Sequence, residues 1–319
     1  MKNKIISLFL FLIIFSFLNG CAGMAASAEE YYTIGMAYFD NGKYEEAEMW
    51  LNRARQADRT MTASVYNLGR IAFERQRYRE AASHFENILE KDPDNVLALK
   101  AAAFTRIRTG DLEIASRHYS RLLTLVPESA DDGYNHALVL YAMGRYGEAE
   151  NVLNKYPFAL LENNDVMLLH ARALKAQNKI EAIDRYSNIL SISSDPKVRY
   201  EYAGILENYE FYARAIEEYR ASLSASAANA VDPRRNEIQF AIAKAVLTAD
   251  SADIKGLEEL EAAVEGGFKN TEAVEALLGI ENLSQANRLG IQEIISRMKG
   301  EVNKEETGSE SENNSDSSS

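Results

Sequence analysis

Alanine recurs along this chain at a fixed interval of 34 residues. The interval separates the first four of these alanines, and two more follow at one residue less. The six positions are Ala47, Ala81, Ala115, Ala149, Ala182 and Ala215. Self-similarity at this period is typical of stacked helical hairpins, because a single hairpin cannot bury its apolar face without neighbours. Such a stack presents an extended binding surface, so the period predicts a binding protein before it predicts a catalyst.

The residues around each alanine resemble the tetratricopeptide repeat. In that family the first helix carries an aliphatic residue, a small one, and an aromatic residue three further on, as in Ile34, Gly35 and Tyr38. Aligned on the alanines, the repeats cover 28–61, 62–95, 96–129, 130–162, 163–195 and 196–231. None of the five prolines would have to lie inside a helix. The resemblance implies an all-α fold, a right-handed superhelical solenoid of tetratricopeptide helical hairpins.

The pattern weakens after the six repeats of residues 28–231. Residues 232–299 are interpreted as a degenerate seventh repeat followed by helices that cap the open end of the stack. Residues 300–319 are rich in serine, glutamate and asparagine and contain no aromatic residue. A segment of this composition buries too little apolar surface to fold, so we expect a disordered acidic tail.

The N-terminus has the pattern of an export signal. Lys2 and Lys4 precede a mostly apolar run from residue 5 to residue 18. This run is shorter than the ~20 residues that a membrane-spanning helix needs, so residues 1–20 are predicted to be a signal peptide. An uncleaved membrane anchor is the alternative.

The end of this segment, Leu18-Asn19-Gly20-Cys21, resembles the lipobox of bacterial lipoproteins. The resemblance implies that Cys21 becomes the new N-terminus and carries acyl chains, with residues 21–27 as a lipidated N-terminus and short linker. Several acyl chains would anchor the protein stably in a membrane. Ala22 follows the cysteine, and a non-acidic residue there implies the outer membrane, with the repeats in the periplasm. Cys21 is the single cysteine, so no disulfide can form within the chain.

The net charge of −13 restricts the choice of partners. An acidic surface repels nucleic acid, and the sequence offers no polybasic patch for anionic lipid. Membrane attachment is therefore expected to come from the acyl chains alone.

In the tetratricopeptide family the first helices line a concave groove, and the resemblance carries that role to fixed places in each repeat. Aromatic and flexible apolar residues, with a few polar ones, occupy these places. They are Tyr32, Met36, Phe39, Tyr66, Asn67, Arg70, Phe73, Lys100, Phe104, Tyr134, Leu138 and Tyr141. Aromatic residues are enriched at interface hot spots, so we expect a peptide or helix with apolar anchors to bind here. A competing interpretation is that these side chains only fill the space between repeats.

One subtype of the family captures the terminal carboxylate of a chaperone with a clamp of lysines and asparagines. At the place of the clamp's first lysine this chain has tyrosine in four of the six repeats, and Lys100 alone matches. That subtype is therefore not expected.

The sequence contains no motif that indicates an enzyme. HExxH, GxSxG, a Walker phosphate loop and GxGxxG after a strand are all absent. His84 and His118 occupy equivalent places in successive second helices, which are normally too far apart to place two imidazoles about 2 Å from one metal ion. They are interpreted as surface residues, and His136 and His170 as packing histidines with satisfied ring nitrogens. We expect no catalytic residue, metal, cofactor or small-molecule substrate.

The combined prediction is a non-catalytic scaffold of the bacterial cell envelope. It would be anchored by a lipidated cysteine and would bind a peptide or helix of a partner protein in its groove, within an envelope assembly complex. The alternative is an accessory regulator of a cell-wall enzyme, or a direct binder of peptidoglycan that uses its tyrosines as stacking platforms for sugars.

Overall fold

The computed structural model describes residues 27–157 and 159–313, with side chains up to residue 300. Within these residues the chain forms 17 α-helices and no β-strand. Consecutive helices pair as hairpins, which confirms the prediction of an all-α fold built from helical repeats. The predicted signal peptide, Cys21 and the end of the predicted tail lie outside the described residues.

The chain forms two compact units, Met1–Met143 and Gly144–Ser319. The helices of the first unit are α1 (Ala28–Asp40), α2 (Tyr44–Ala57), α3 (Thr62–Glu74), α4 (Tyr78–Lys91), α5 (Val96–Thr109), α6 (Leu112–Leu125) and α7 (Ala130–Ala142). The odd-numbered helices here are the first helices of their repeats. The division between the units falls in the turn after α7, inside the fourth predicted repeat, although the sequence predicts one continuous repeat domain from 28 to 231.

The second unit contains the remaining helices. They are α8 (Tyr146–Leu153), α9 (Ala159–Glu162), α10 (Asn164–Ala176), α11 (Glu181–Ile192), α12 (Pro196–Asn208), α13 (Tyr212–Ala225), α14 (Arg235–Ala249), α15 (Lys255–Glu265), α16 (Thr271–Ala276), a 3-10 turn at Leu277–Gly279, and α17 (Gln285–Asn313). The expected start of the tail at residue 300 therefore falls inside a helix.

Small residues allow the paired helices to approach closely. The six periodic alanines are completely buried. In the second repeat, a Cβ atom added to Gly69 would lie only 2.7 Å from Cε1 of Phe85, which is itself 2% exposed. In the first hairpin Gly35 meets Leu51 in the same way, so a large side chain of the second helix packs against a glycine of the first, and overpacking there would force the helices apart.

The turn inside each predicted repeat has a residue with left-handed backbone conformation at the same place. These residues are Gly42, Gln76, Gly110, Gly144, Asn178 and Glu210. The turn of the second repeat bends by this conformation even though Gln76 is not glycine: its φ is +59°. The next amide, from Arg77, then donates a 2.8 Å hydrogen bond to the carbonyl of Ala72. The turn geometry is thus common to the six repeats, whichever residue occupies the place.

We expect Gln76→Gly to raise the free energy of unfolding by roughly 0.5–1 kcal/mol. Glycine adopts positive φ without the steric cost that a Cβ atom brings, and this gain exceeds its greater loss of backbone entropy. The exposed glutamine side chain makes little contribution of its own. Urea denaturation followed by circular dichroism measures the change, and Gln76→Val, which is β-branched, should instead destabilise the unit.

The chain's single tryptophan lies in the first hairpin. The Trp50 ring stacks with Tyr31 at a centroid distance of 5.8 Å, and the guanidinium carbon of Arg53 lies 4.5 Å from its centroid. Trp50 is therefore held by contacts local to α1 and α2.

Candidate functional site

Two neighbouring cavities open on the first helices of the first three repeats. The larger has a volume of about 420 Å³ and lies between α1 and α3, with the start of α5 at its rim. The smaller has a volume of about 120 Å³ and lies between α3 and α5. Arg70 lines both cavities. This pair of cavities is the candidate site.

The larger cavity contains five residues of the predicted groove. They are Tyr32, Met36, Tyr66, Asn67 and Arg70. The remaining lining residues are Thr62, Ala63, Ile88, Asn95 and Leu97. Sequence reasoning missed Leu97, although a leucine 63% exposed at the beginning of a helix is an available apolar anchor. Its place precedes the position from which the family pattern counts groove residues.

The smaller cavity contains three predicted groove residues, Arg70, Phe73 and Phe104. Phe104 is 50% exposed and its ring lies 5.4 Å from that of Phe73. Phe85 forms part of the lining, and Glu74 adds a carboxylate to this side of the site. The smaller cavity is therefore aromatic, with one acid and one base at its edge.

Hydrogen bonds hold Arg70 in place. Asn67 accepts a 3.0 Å hydrogen bond from a terminal nitrogen of Arg70, and its own amide donates to the Tyr32 hydroxyl at 3.0 Å and to the Ala63 carbonyl at 2.9 Å. The guanidinium also lies 4.5 Å from the centroid of Phe39, in cation–π geometry. Phe39 thus contacts Arg70 without lining either cavity, and the hydrogen bonds of buried Asn67 fix the position of the guanidinium.

Lys100 does not line either cavity. Its ammonium lies 2.9 Å from the carboxylate of Asp132, which is buried on α7. Arg70, in contrast, takes part in none of the ion pairs of the described residues. The positive charge that the site offers to a ligand is therefore that of Arg70.

The three predicted groove residues on α7 are not part of the two cavities. Tyr134 and Tyr141 are half-buried, and Leu138 is 39% exposed. The structure therefore brings together Tyr32, Met36, Tyr66, Asn67, Arg70, Phe73 and Phe104, but does not include Tyr134, Leu138 or Tyr141 in the same site.

Two histidines differ from their predicted roles. His118 is only 15% exposed at its side chain and its Nε2 lies 3.0 Å from Glu86, so it is not a simple surface residue. His170 is buried as predicted, but neither of its ring nitrogens has a hydrogen-bond partner among the described protein groups. His136 does have a partner: its Nε2 lies 3.0 Å from the Ser116 hydroxyl. The described residues contain no cluster of metal-ligating side chains.

Burial lowers the pKa of His170 to about 4, and the positive charge of Arg185 acts in the same direction. Between its ordinary pKa of 6.5 and about 4, the unfolded chain binds a proton that the folded chain does not. We therefore expect the His170 contribution to stability to be complete above pH 6.5 and to be lost as the pH falls to about 4. The loss is roughly 2 kcal/mol after allowance for solvent screening.

The measurement is urea unfolding at pH 7.5 and pH 4.5 for the wild type and for His170→Leu. The two proteins share their other titratable groups, so the difference in pH dependence measures His170 together with its coupling to Glu150. Equal losses of stability in the two proteins would contradict the prediction.

No helix in the described part of the chain is both long enough and apolar enough to cross a membrane.

Comparisons with known proteins agree with the helical repeats. Residues 67–164 match the family described as the TT21 fifth ARM repeats domain, and residues 15–88 match the family of the anaphase-promoting complex, cyclosome, subunit 3. A protein of Treponema pallidum (strain Nichols) named "Uncharacterized lipoprotein" is 24% identical over 173 residues, which are 54% of this chain and 88% of that protein.

Two solved structures share the fold. A tetratricopeptide repeat protein from Parabacteroides merdae ATCC 43184 superposes with a TM-score of 0.52 and 21% identity, covering 79% of this chain and 98% of the other. YrrB, described as a TPR protein with an unusual peptide-binding site, superposes with a TM-score of 0.51 and 19% identity, covering 61% of this chain and 98% of the other. The chain therefore has the helical-repeat fold of these tetratricopeptide-repeat structures, and part of its sequence is similar to a protein named as a lipoprotein.

Proposed function

We propose that this chain is a non-catalytic scaffold that captures a peptide or helix of a partner protein at the two cavities around Arg70. The observation that carries the proposal is the pairing of these cavities, which present apolar and aromatic walls with a few fixed polar groups. Binding sites usually have this composition. The description of YrrB as a peptide-binding protein is in keeping with such a role.

The proposal includes attachment to a membrane through acyl chains on Cys21. The lipobox-like sequence and the similarity to a protein named as a lipoprotein support it. The repeat units would then face the periplasm, from the outer membrane, as part of an envelope assembly complex. Replacing Cys21 with serine tests the anchor, because the variant should leave the detergent phase when cells are partitioned with Triton X-114. Unchanged partitioning would overturn the anchoring.

Photo-crosslinking in living cells tests the binding site. A photoreactive amino acid replaces Phe104, which lines the smaller cavity and is 50% exposed. The matched control carries the same group in place of Met49, which is 45% exposed on α2 and lines neither cavity. We expect a discrete crosslinked protein from position 104 alone, identified by mass spectrometry.

Other outcomes separate the alternatives. Equal capture from both positions would contradict a specific site at the cavities. Recovery of glycan instead of protein from position 104 would favour the direct peptidoglycan binder, which retention on purified peptidoglycan in the absence of other proteins would confirm.

A further inference from the structure

We infer that Arg70 selects partner segments in which an acidic side chain lies next to an apolar one, with the carboxylate received on the side of the larger cavity. The inference rests on the proposed function, since it names the chemistry of the peptide that the same cavities would hold.

The positive charge of Arg70 is available to a ligand. Arginine has five N–H donors, of which one is used by Asn67 in the described hydrogen bonds. No described ion pair neutralises its guanidinium, whereas Lys100 is neutralised by Asp132 at 2.9 Å. Arg70 is therefore the charged group in the site that is complementary to an anion, in a chain whose net charge is −13.

The guanidinium of Arg70 is preorganised. The contacts with Asn67 and Phe39 hold the guanidinium before any ligand arrives. A fixed guanidinium fork matches a carboxylate in geometry, and less side-chain entropy is lost when the two bind. Arg70 is thus suited to specific recognition and not only to general attraction.

The two cavities differ in how well each would accept a carboxylate. Glu74 lines the smaller cavity and would repel an anion there. The larger cavity has no acidic lining residue, and the Tyr32 hydroxyl accepts a hydrogen bond from Asn67, which leaves its hydrogen available as a second donor. Both Arg70 and Tyr32 line this cavity, so it is the side that favours a carboxylate.

The smaller cavity has space for the apolar side chain that lies next to the acid in the partner segment. The smaller cavity is walled by Phe73, Phe85 and Phe104, and its volume of 120 Å³ is close to that of an apolar cavity that holds one benzene ring. One apolar side chain of the partner therefore fits there. Because cavities lie on both sides of Arg70, the peptide passes across it, and the carboxylate belongs to a side chain and not to a chain end.

The test uses the full chain and a phage-displayed library of random twelve-residue peptides joined to the coat protein at both ends, so that no peptide has a free terminal carboxylate. We expect selected peptides to be enriched in aspartate or glutamate beside leucine, phenylalanine or methionine. The peptide that binds best is then synthesised with an amidated C-terminus and measured by isothermal titration calorimetry.

A double-mutant cycle identifies Arg70 as the selecting residue. Arg70→Gln should weaken binding of the acidic peptide by about tenfold, and replacing the peptide's acid with its amide should weaken binding to the wild type by a similar factor. Once Arg70 is glutamine, the acid-to-amide change should have almost no further effect. Arg70 is exposed, so the variant should fold, and circular dichroism verifies that it does. Arg70→Lys should recover only part of the affinity, because lysine lacks the planar fork.

Phe104→Ala separates failure of this inference from failure of the proposed function. Peptides that lose affinity with Phe104→Ala but are insensitive to Arg70→Gln would overturn the role of Arg70 and leave peptide capture intact. The same peptide is also synthesised with a free C-terminus. If its terminal carboxylate contributes more to the affinity than its internal acid does, the assignment of the carboxylate to a side chain is overturned. If no peptide is enriched more strongly on the wild type than on Phe104→Ala, both proposals are overturned.

Discussion

Replacing Phe85 with alanine should lower the free energy of unfolding of the first unit by about 3–5 kcal/mol, the usual range for a buried phenylalanine. Phe85 is 2% exposed, and its ring lies 5.5 Å from that of Tyr66. The substitution removes the side chain that packs against Gly69, and the glycine has no side chain of its own to fill the space. The hairpin backbone would have to move to close the cavity. Urea denaturation of the wild type and the variant measures the loss.

Phe104→Ala is the matched control for this prediction. It makes the same chemical change in the same unit, but Phe104 is 50% exposed, so we expect a cost below about 1 kcal/mol. A similar loss of stability in the two variants would contradict the assignment of Phe85 to the buried base of the smaller cavity and Phe104 to its exposed edge. If the assignment holds, Phe85→Ala lowers stability, whereas Phe104→Ala changes binding at little cost in stability.

In the second unit, Glu201→Ala should cost roughly 3 kcal/mol. Glu201 accepts hydrogen bonds from Arg172 at 2.7 and 2.9 Å and from the hydroxyl of fully buried Tyr186 at 2.7 Å. Burial opposes ionisation, but these donors outweigh it and lower the pKa of Glu201. Removal of the carboxylate takes this shared acceptor from the Tyr186 hydroxyl and the Arg172 guanidinium, which is the costly way to break a partly buried ion pair.

Glu275→Ala provides the comparison, because Glu275 pairs with Lys299 in the same unit while both side chains are largely exposed. An exposed pair contributes about 0–1 kcal/mol, so this variant should unfold almost as the wild type does. Thermal and urea unfolding of the two variants side by side measures the difference. The Glu201 contribution depends on an ionised carboxylate. Because the folded pKa is lowered, it is complete above the ordinary carboxyl pKa and is lost as the pH falls through the folded value. Equal stabilities at neutral pH would show that Glu201 is not the acceptor that this network needs.

The sequence was sufficient for the hairpins and for part of the site, because those features repeat. Gly69 and Phe85 recur as a small residue and a large one at the same places in other repeats, so their contact follows from the period. The places of Tyr66, Arg70 and Phe73 on one face of α3 follow in the same way. A repeating pattern contains the information that a stack of equal units shares.

What differs between repeats could not be read from the period. The ion pair of Lys100 with Asp132 joins different repeats, and it removes from the site a cation that the pattern places there. Leu97 enters the site because it lies in the first turn of α5, outside the repeated positions of the groove pattern. The two cavities depend on the local sizes of side chains. The pattern gives Tyr134 a place equivalent to that of Tyr66, so it does not reveal that the lining residues end at α5 and exclude α7. The unpartnered nitrogens of His170 likewise depend on contacts specific to one repeat.

The position of the single tryptophan gives the two units different optical signals. Trp50 lies in the first hairpin, and its neighbours Tyr31 and Arg53 belong to that hairpin, so its fluorescence reports melting of the first unit alone. Circular dichroism, in contrast, averages over the helices of both units. If the units melt at different denaturant concentrations, the two signals will give different midpoints, and a single two-state fit to the circular dichroism signal would be invalid. A tryptophan introduced at Phe240, where two phenylalanine rings stack 4.3 Å apart, would give the second unit a reporter of its own.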